Sequence, residues 1–220
     1  MSFKKNKYVI IKQAISKDLA TFMANYFAMK KQVYDTCIKH RFISPYEVLL
    51  GRYEGKDSQM PNTYSSYADL VMETLLLKCQ PIMEKTTGLK LQPAYTYARI
   101  YKKGDVLKRH KDRFSCEIST TMFLGGDAWP IYLDPTGSNN VVDEKKNLIK
   151  PNAPKGIKVD LKPGDMLIYS GCELEHWREP FIGEYCVQVF LHYNKSNSKG
   201  AEENKFDKRP HLGLPNWFKK

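Results

Sequence analysis

The feature that most constrains the fold is a change of period near residue 89. Upstream, apolar residues recur every three and four positions; downstream they alternate in short runs broken by Gly and Pro-Gly. Upstream, Tyr8-Val9-Ile10-Ile11 reads as a short strand, and Ser16 with Asp18 reads as the cap of a helix over "LATFMANYFAMKKQVYDTC". A second helix is expected over 66–87, stopped by Gly88 and kinked or interrupted at Pro81. Downstream, "LQPAYTYARIYKKG" puts Tyr95, Tyr97, Arg99 and Tyr101 on one face of a strand. "SCEISTTMFLGG", "PIYLDPTG", "GIKVDLKPGDMLIYSG" and "YCVQVFLHYN" follow as further strands. Helices first and many short strands after predict an α+β domain with a sandwich or jelly-roll core.

At 220 residues the chain suffices for one sizeable domain, and we expect a single one over 1–220. Within it, 1–88 is mainly helical support, 89–194 the jelly-roll core and 195–220 a tail. Leu212, Leu214, Trp217 and Phe218 are expected to fold that tail back on the core, and 134–156 to form a long surface loop. The 14 tyrosines and 10 phenylalanines supply apolar area that disordered chains lack. No apolar run is long enough for a membrane span, and the N-terminus has no secretory signature. Five cysteines, an odd number with no CxxC pair, predict reduced thiols and a cytoplasmic location. The net charge of +11 suits nucleic acid or anionic ligands, but the lysines are scattered and equally suit a solvated basic surface.

Chemistry concentrates in "LKRHKDRFSC", where His110 and Asp112 are two residues apart and so face the same way on an extended segment. Downstream, "KPGDMLIYSGCELEHW" joins a Pro163-Gly164-Asp165 turn and an apolar strand to His176. Asp165 reads as the residue closing that turn. Two histidines and one carboxylate on a β scaffold are the facial triad of non-haem Fe(II) oxygenases.

With these motifs in order, the region 91–194 resembles the 2-oxoglutarate- and Fe(II)-dependent dioxygenases, most of all the prolyl 4-hydroxylase-like group. The resemblance implies a double-stranded β-helix, with His110, Asp112 and His176 as iron ligands and Tyr101 bonded to a cosubstrate carboxylate. It also implies Fe(II), 2-oxoglutarate and ascorbate as cofactor, cosubstrate and reductant, and succinate and carbon dioxide as coproducts.

One departure stands out: the last strand, "GEYCVQVFLHY", carries Cys186 and Gln188 where the family has a basic residue for the far carboxylate. A buried carboxylate needs a cation, so Arg178 leads the candidates, with Arg99, Arg113 and His192 behind it and Gln188 as a neutral contact. His192 and His211 otherwise read as ordinary strand and tail residues, and His40 as a surface one. The resemblance favours a peptidyl, prolyl-like substrate; a free amino acid, a small metabolite or a nucleic acid are alternatives. The loops at 134–156 and around "SPYEVLLGRYEGKDSQMPNTYSSY" are candidate lids. A second class is a cupin-like module that binds a metal or small ligand without turnover.

Overall fold

The computed structural model describes residues 2–53, 55, 60–140 and 155–219. Along the chain come α1 (Phe3–Asn6), β1 (Tyr8–Ile11), α2 (Lys17–Lys39), β2 (Arg52–Tyr53), β3 (Tyr64–Tyr67) and α3 (Leu70–Thr87). Then follow β4 (Leu91–Lys102), β5 (Leu107–His110), β6 (Ile118–Gly126), β7 (Ile131–Leu133) and β8 (Ile157–Val159). The series ends with β9 (Met166–Ser170), β10 (His176–Arg178) and β11 (Tyr185–Lys195). Among the described residues the strands form a seven-stranded sheet, β1-β9-β6-β11-β4-β3-β2, and a four-stranded sheet, β5-β10-β7-β8. This is the expected α+β jelly roll, helices on one face of the larger sheet and the smaller sheet on the other.

Alternation explains the layers. On β4 and β11, Ala98, Val187, Val189 and Leu191 point outward to Phe27 of α2 and to Met72, Leu76 and Met83 of α3, forming the main core. The opposite face carries Tyr95, Tyr97, Arg99 and Tyr101, as the alternation predicts, with Cys186, Gln188, Phe190 and His192 opposite them in register. A second apolar cluster joins Tyr8, Leu167 and Tyr169 of the larger sheet to Ile131, Leu133 and Val159 of the smaller one. A face-to-face pair of sheets therefore leaves an inner space lined from both sides.

The Ser16 cap is present, its hydroxyl accepting from the Leu19 N–H at 3.2 Å. The second helix differs from expectation. Residues 64–67 are strand, paired to β4 through Tyr64↔Ile100 and Tyr67↔Tyr97, and the cap is Asp69, which accepts from Val71 and Met72. Edge pairing on β4 outweighs the helix expected from residue 66. Gly88 ends the helix at φ 71°, as predicted, but Pro81 does not interrupt it. The part called helical support thus also contributes three strands, β1, β2 and β3, to the larger sheet.

The tail is held by polar groups instead of by its last aromatics. Trp217 and Phe218 are 59% and 47% exposed, while Leu212 packs on the main core. Arg209 is fully buried; its Nη2 donates to Glu73 Oε1 of α3 at 2.7 Å and to the Ala94 carbonyl of β4 at 3.1 Å. Phe206, Asp207 and Lys208 all take positive φ, a conformation costing about 1–2 kcal/mol per residue. Arg209→Ala strands a buried Glu73 carboxylate, so we expect it to lower the unfolding free energy by about 3–5 kcal/mol, read by urea denaturation.

Candidate metal centre

Strand β5 ends on His110 and β10 begins on His176, and the antiparallel register sets the two directly opposite. Their rings lie 4.3 Å apart between centroids. Asp112 follows β5 by two residues, and its backbone N–H donates to the Gly171 carbonyl at 2.9 Å, turning the carboxylate back toward both rings. Asp112 Oδ1 is 3.5 Å from His110 Nε2 and 3.4 Å from His176 Nε2. A metal with bonds of about 2.1 Å at right angles sets neighbouring donors about 3 Å apart, so the three converge as facial ligands do.

The protonation pattern agrees. His110 Nδ1 is 2.7 Å from the Lys108 carbonyl, and His176 Nδ1 is 3.1 Å from the Leu174 carbonyl. Carbonyls only accept, so each Nδ1 carries its hydrogen and each Nε2 lone pair is left for a metal. Burial pushes the Asp112 carboxyl up, but the neighbouring histidines His176 and His110 outweigh it and hold the group well below the usual range. Burial pushes His176 down, and the Asp112 charge more than reverses this.

Packing fixes the carboxylate further. Ser119 Oγ on β6 lies 3.2 Å from Asp112 Oδ2, which leaves Oδ1 toward the histidines. A Cβ on Gly171 would collide with the Cys116 carbonyl and with Asp112 Oδ2. Gly171→Ala should therefore weaken Co(II) binding about 10- to 100-fold by displacing Asp112, measured by titration calorimetry.

The triad opens on a cavity of about 310 Å³ walled by the inward residues of β4 and β11. Tyr101 lines it and is buried, edge-on to Trp129 at 4.8 Å between ring centres, and burial raises its phenol well above the ordinary range. Arg178, two residues beyond His176 on β10, is 1% exposed. Its Nη1 donates to the Trp129 carbonyl and its Nη2 to Thr121 Oγ1 at 3.1 Å, and the guanidinium lies 5.1 Å from the Trp129 ring centre. Its Nε has no partner, and no carboxylate among the described residues pairs with it. Gln188 belongs to the same network, accepting from Thr121 Oγ1 at 3.1 Å and donating to Cys186 Sγ at 3.3 Å.

The other candidates differ in place. Arg113 turns away to the tail, where Nη1 and Nη2 donate to Asp207 at 2.8 and 2.9 Å. Arg99 lines the cavity with its guanidinium 4.9 Å from the Tyr97 ring centre. Asp165 closes its turn by accepting from the Lys162 N–H at 3.0 Å. His40 stacks on Phe42 and His211 is exposed. His192, read from sequence as an ordinary strand residue, lines the cavity instead. Its signal was positional: it falls opposite Tyr95 on the inward face. Cys116 and His192 also approach Asp112, but burial drives the Cys116 thiol well up and Tyr95 O–H lies 3.1 Å from its sulfur, a poor setting for a thiolate ligand. Of the two candidate lids, residues 54, 56–59 and 141–154 lie outside the described residues.

No protein-family model matches the chain, and no curated protein matches it in sequence. Solved structures do match in shape. A prolyl-4-hydroxylase from Pseudomonas putida is 12% identical with a TM-score of 0.57, covering 89% of this chain and 96% of that one. The non-haem α-ketoglutarate-dependent carbocyclase SnoK from nogalamycin biosynthesis is 13% identical with a TM-score of 0.60, covering 87% and 80%. HygX from Streptomyces hygroscopicus, solved with nickel and 2-oxoglutarate bound, is 14% identical with a TM-score of 0.58, covering 89% and 85%. The chain therefore has the fold of the non-haem iron, 2-oxoglutarate-dependent oxygenases. Among the described residues no helix is long and apolar enough to cross a membrane.

Proposed function

We propose that the protein is an Fe(II)- and 2-oxoglutarate-dependent oxygenase that hydroxylates a C–H bond, with a peptidyl, prolyl-like residue as the first substrate class to test. The observation that carries this reading is Arg178: a fully buried guanidinium with no acid paired to it among the described residues, two positions beyond His176 on β10. Two residues of strand span about 6.6 Å, comparable with the length of a five-carbon dicarboxylate. A carboxylate is what an unpaired buried guanidinium is suited to receive.

In this reading His110, Asp112 and His176 hold Fe(II), and Arg178, with Tyr101 beside it, receives the far carboxylate of 2-oxoglutarate. Bound iron would supply the redox chemistry that couples cosubstrate decarboxylation to C–H oxidation, yielding succinate and carbon dioxide. The chain contributes the open side of the triad, the orientation of the cosubstrate and exclusion of water by Tyr101, Leu107, Ile131 and Phe190 around the cavity. Arg178 is sealed in this structure, bonded to the Trp129 carbonyl and Thr121, so cosubstrate entry requires its surroundings to part. All five cysteines are unpaired, which suits a reducing, cytoplasmic setting.

The test is succinate formation by the purified protein with Fe(II), ascorbate and 2-oxoglutarate, alone and with proline-containing peptides, free amino acids and single-stranded nucleic acid. Succinate above the protein-free control supports the reading, and the additive that stimulates it names the substrate class. No succinate with any of them leaves the cupin-like, non-catalytic reading.

A further inference from the structure

The inner face of β11 has two ends. One, at Cys186 and Gln188, adjoins the Arg178 network assigned above to the cosubstrate. The other, at His192 beside the triad, has no assigned role. His192 is 6% exposed, packs on the Tyr95 ring at 4.5 Å between centroids, and lies within 11° of parallel to Phe190.

Its tautomer follows from its neighbours. His192 Nδ1 is 2.9 Å from Ser119 Oγ. That hydroxyl also reaches the Cys116 carbonyl at 2.8 Å and Asp112 Oδ2 at 3.2 Å, and both of those groups only accept. Ser119 has one hydrogen to give and gives it to one of them, so the bond to His192 takes its hydrogen from Nδ1. In the neutral ring the one hydrogen is then on Nδ1. Nε2 is then a bare lone pair, with no hydrogen-bond partner among the described residues, on a ring that lines the same cavity as Asp112.

We propose that His192 Nε2 accepts a hydrogen bond from an N–H or O–H of the substrate and thereby positions the reacting carbon beside the metal. This deepens the oxygenase reading and rests on it. The substrate class is one with a neutral donor near the oxidised carbon, laid against the Tyr95, Tyr97 and Phe190 rings; a peptidyl proline has no N–H of its own, so there the donor is the amide N–H of the residue that follows it. A cationic donor fits less well, because Asp112 is the one carboxylate lining the cavity among the described residues and it serves the metal. His192 is a positioning residue for the substrate, and Ser119 stands between it and Asp112.

The experiment uses the full chain loaded with Co(II) and 2-oxoglutarate, which binds without turning over. The probes are 2-pyrrolidone, which has a lactam N–H, and N-methyl-2-pyrrolidone, which does not. Binding near the metal is read from paramagnetic relaxation of the probe protons. We expect the lactam to bind about 3- to 10-fold more tightly than its methylated analogue, the yield of one neutral hydrogen bond. His192→Phe should erase that preference, and His192→Gln, whose amide oxygen accepts, should recover part of it. In the Zn(II)-loaded wild type, imidazole nitrogen shifts should show hydrogen on Nδ1 and none on Nε2. A protonated Nε2, no lactam preference in wild type, or a preference surviving His192→Phe would each overturn the proposal. Calorimetry on the same samples separates the two levels. Failure of wild type to bind Co(II) and 2-oxoglutarate sinks the oxygenase reading and this inference with it, whereas intact binding without a lactam preference sinks the role of His192 alone.

Discussion

With Asp112 replaced by alanine, succinate formation is expected to fall to the protein-free background and Co(II) affinity to drop by more than about 100-fold. Asp112 is the sole anionic donor of the triad, and its Oδ1 lies within 3.5 Å of both histidine Nε2 atoms. Without it, two neutral imidazoles must hold a divalent ion in a partly buried site, with nothing to offset its charge. Groups that merely orient a metal ligand are worth 10- to 100-fold in affinity, so a ligand itself is worth more. His110→Ala should behave in the same way, leaving His176 and Asp112 unable to define a face. Calorimetric titration with Co(II) reads the affinity, and unchanged urea midpoints without metal show that the scaffold survives. Wild-type metal binding by Asp112→Ala would remove this triad as the metal centre.

The second large effect joins function to stability with opposite signs. Arg178→Met should weaken 2-oxoglutarate binding by about 2–5 kcal/mol, roughly 30- to several-thousand-fold, because it removes the cation from a desolvated charge pair. The same substitution should leave the cosubstrate-free protein as stable or more stable. A buried guanidinium without an acid carries a desolvation cost, and burial already pulls its pKa below the usual value. Methionine fills much of the same space, although it forgoes the bonds to the Trp129 carbonyl and Thr121. Arg99→Met is the comparison, since Arg99, unlike Arg178, lines the cavity. If Arg99→Met loses the cosubstrate while Arg178→Met keeps it, the anchor is Arg99. Cosubstrate titrations and thermal melts of both variants decide it.

What the sequence made legible was whatever depended on local pattern. The Ser16 cap, the Gly88 stop and the two-residue period of β4 and β11 require only near neighbours, and all are as expected. The spacing of His110 and Asp112 was equally local, and the register of β5 with β10 then places His176 against them. Long-range competition was not legible. Residues 66 and 67 fall within the expected helix, yet become strand because β4 offers an edge. Arg113 resembled background charge or a cosubstrate partner, and only the fold shows Asp207 meeting it across 94 positions of sequence. The role of His192 was hidden for a related reason: its period is that of any strand residue, and only the inward turn of that face brings it to the triad.

The pairing of Arg113 with Asp207, together with the central place of β11 between β6 and β4, bears on how the centre comes into being during synthesis. Two of the candidate ligands, His110 and Asp112, are made before the strand at 185–195 that closes the larger sheet and before Asp207, the acid that anchors Arg113. Contacts of such long separation form slowly and late. Until then the inward rings and the Cys116 and Cys186 thiols have no sheet to cover them. If His110, Asp112 and His176 hold a metal, loading it would wait until the chain has been made through Asp207, whose carboxylate holds Arg113.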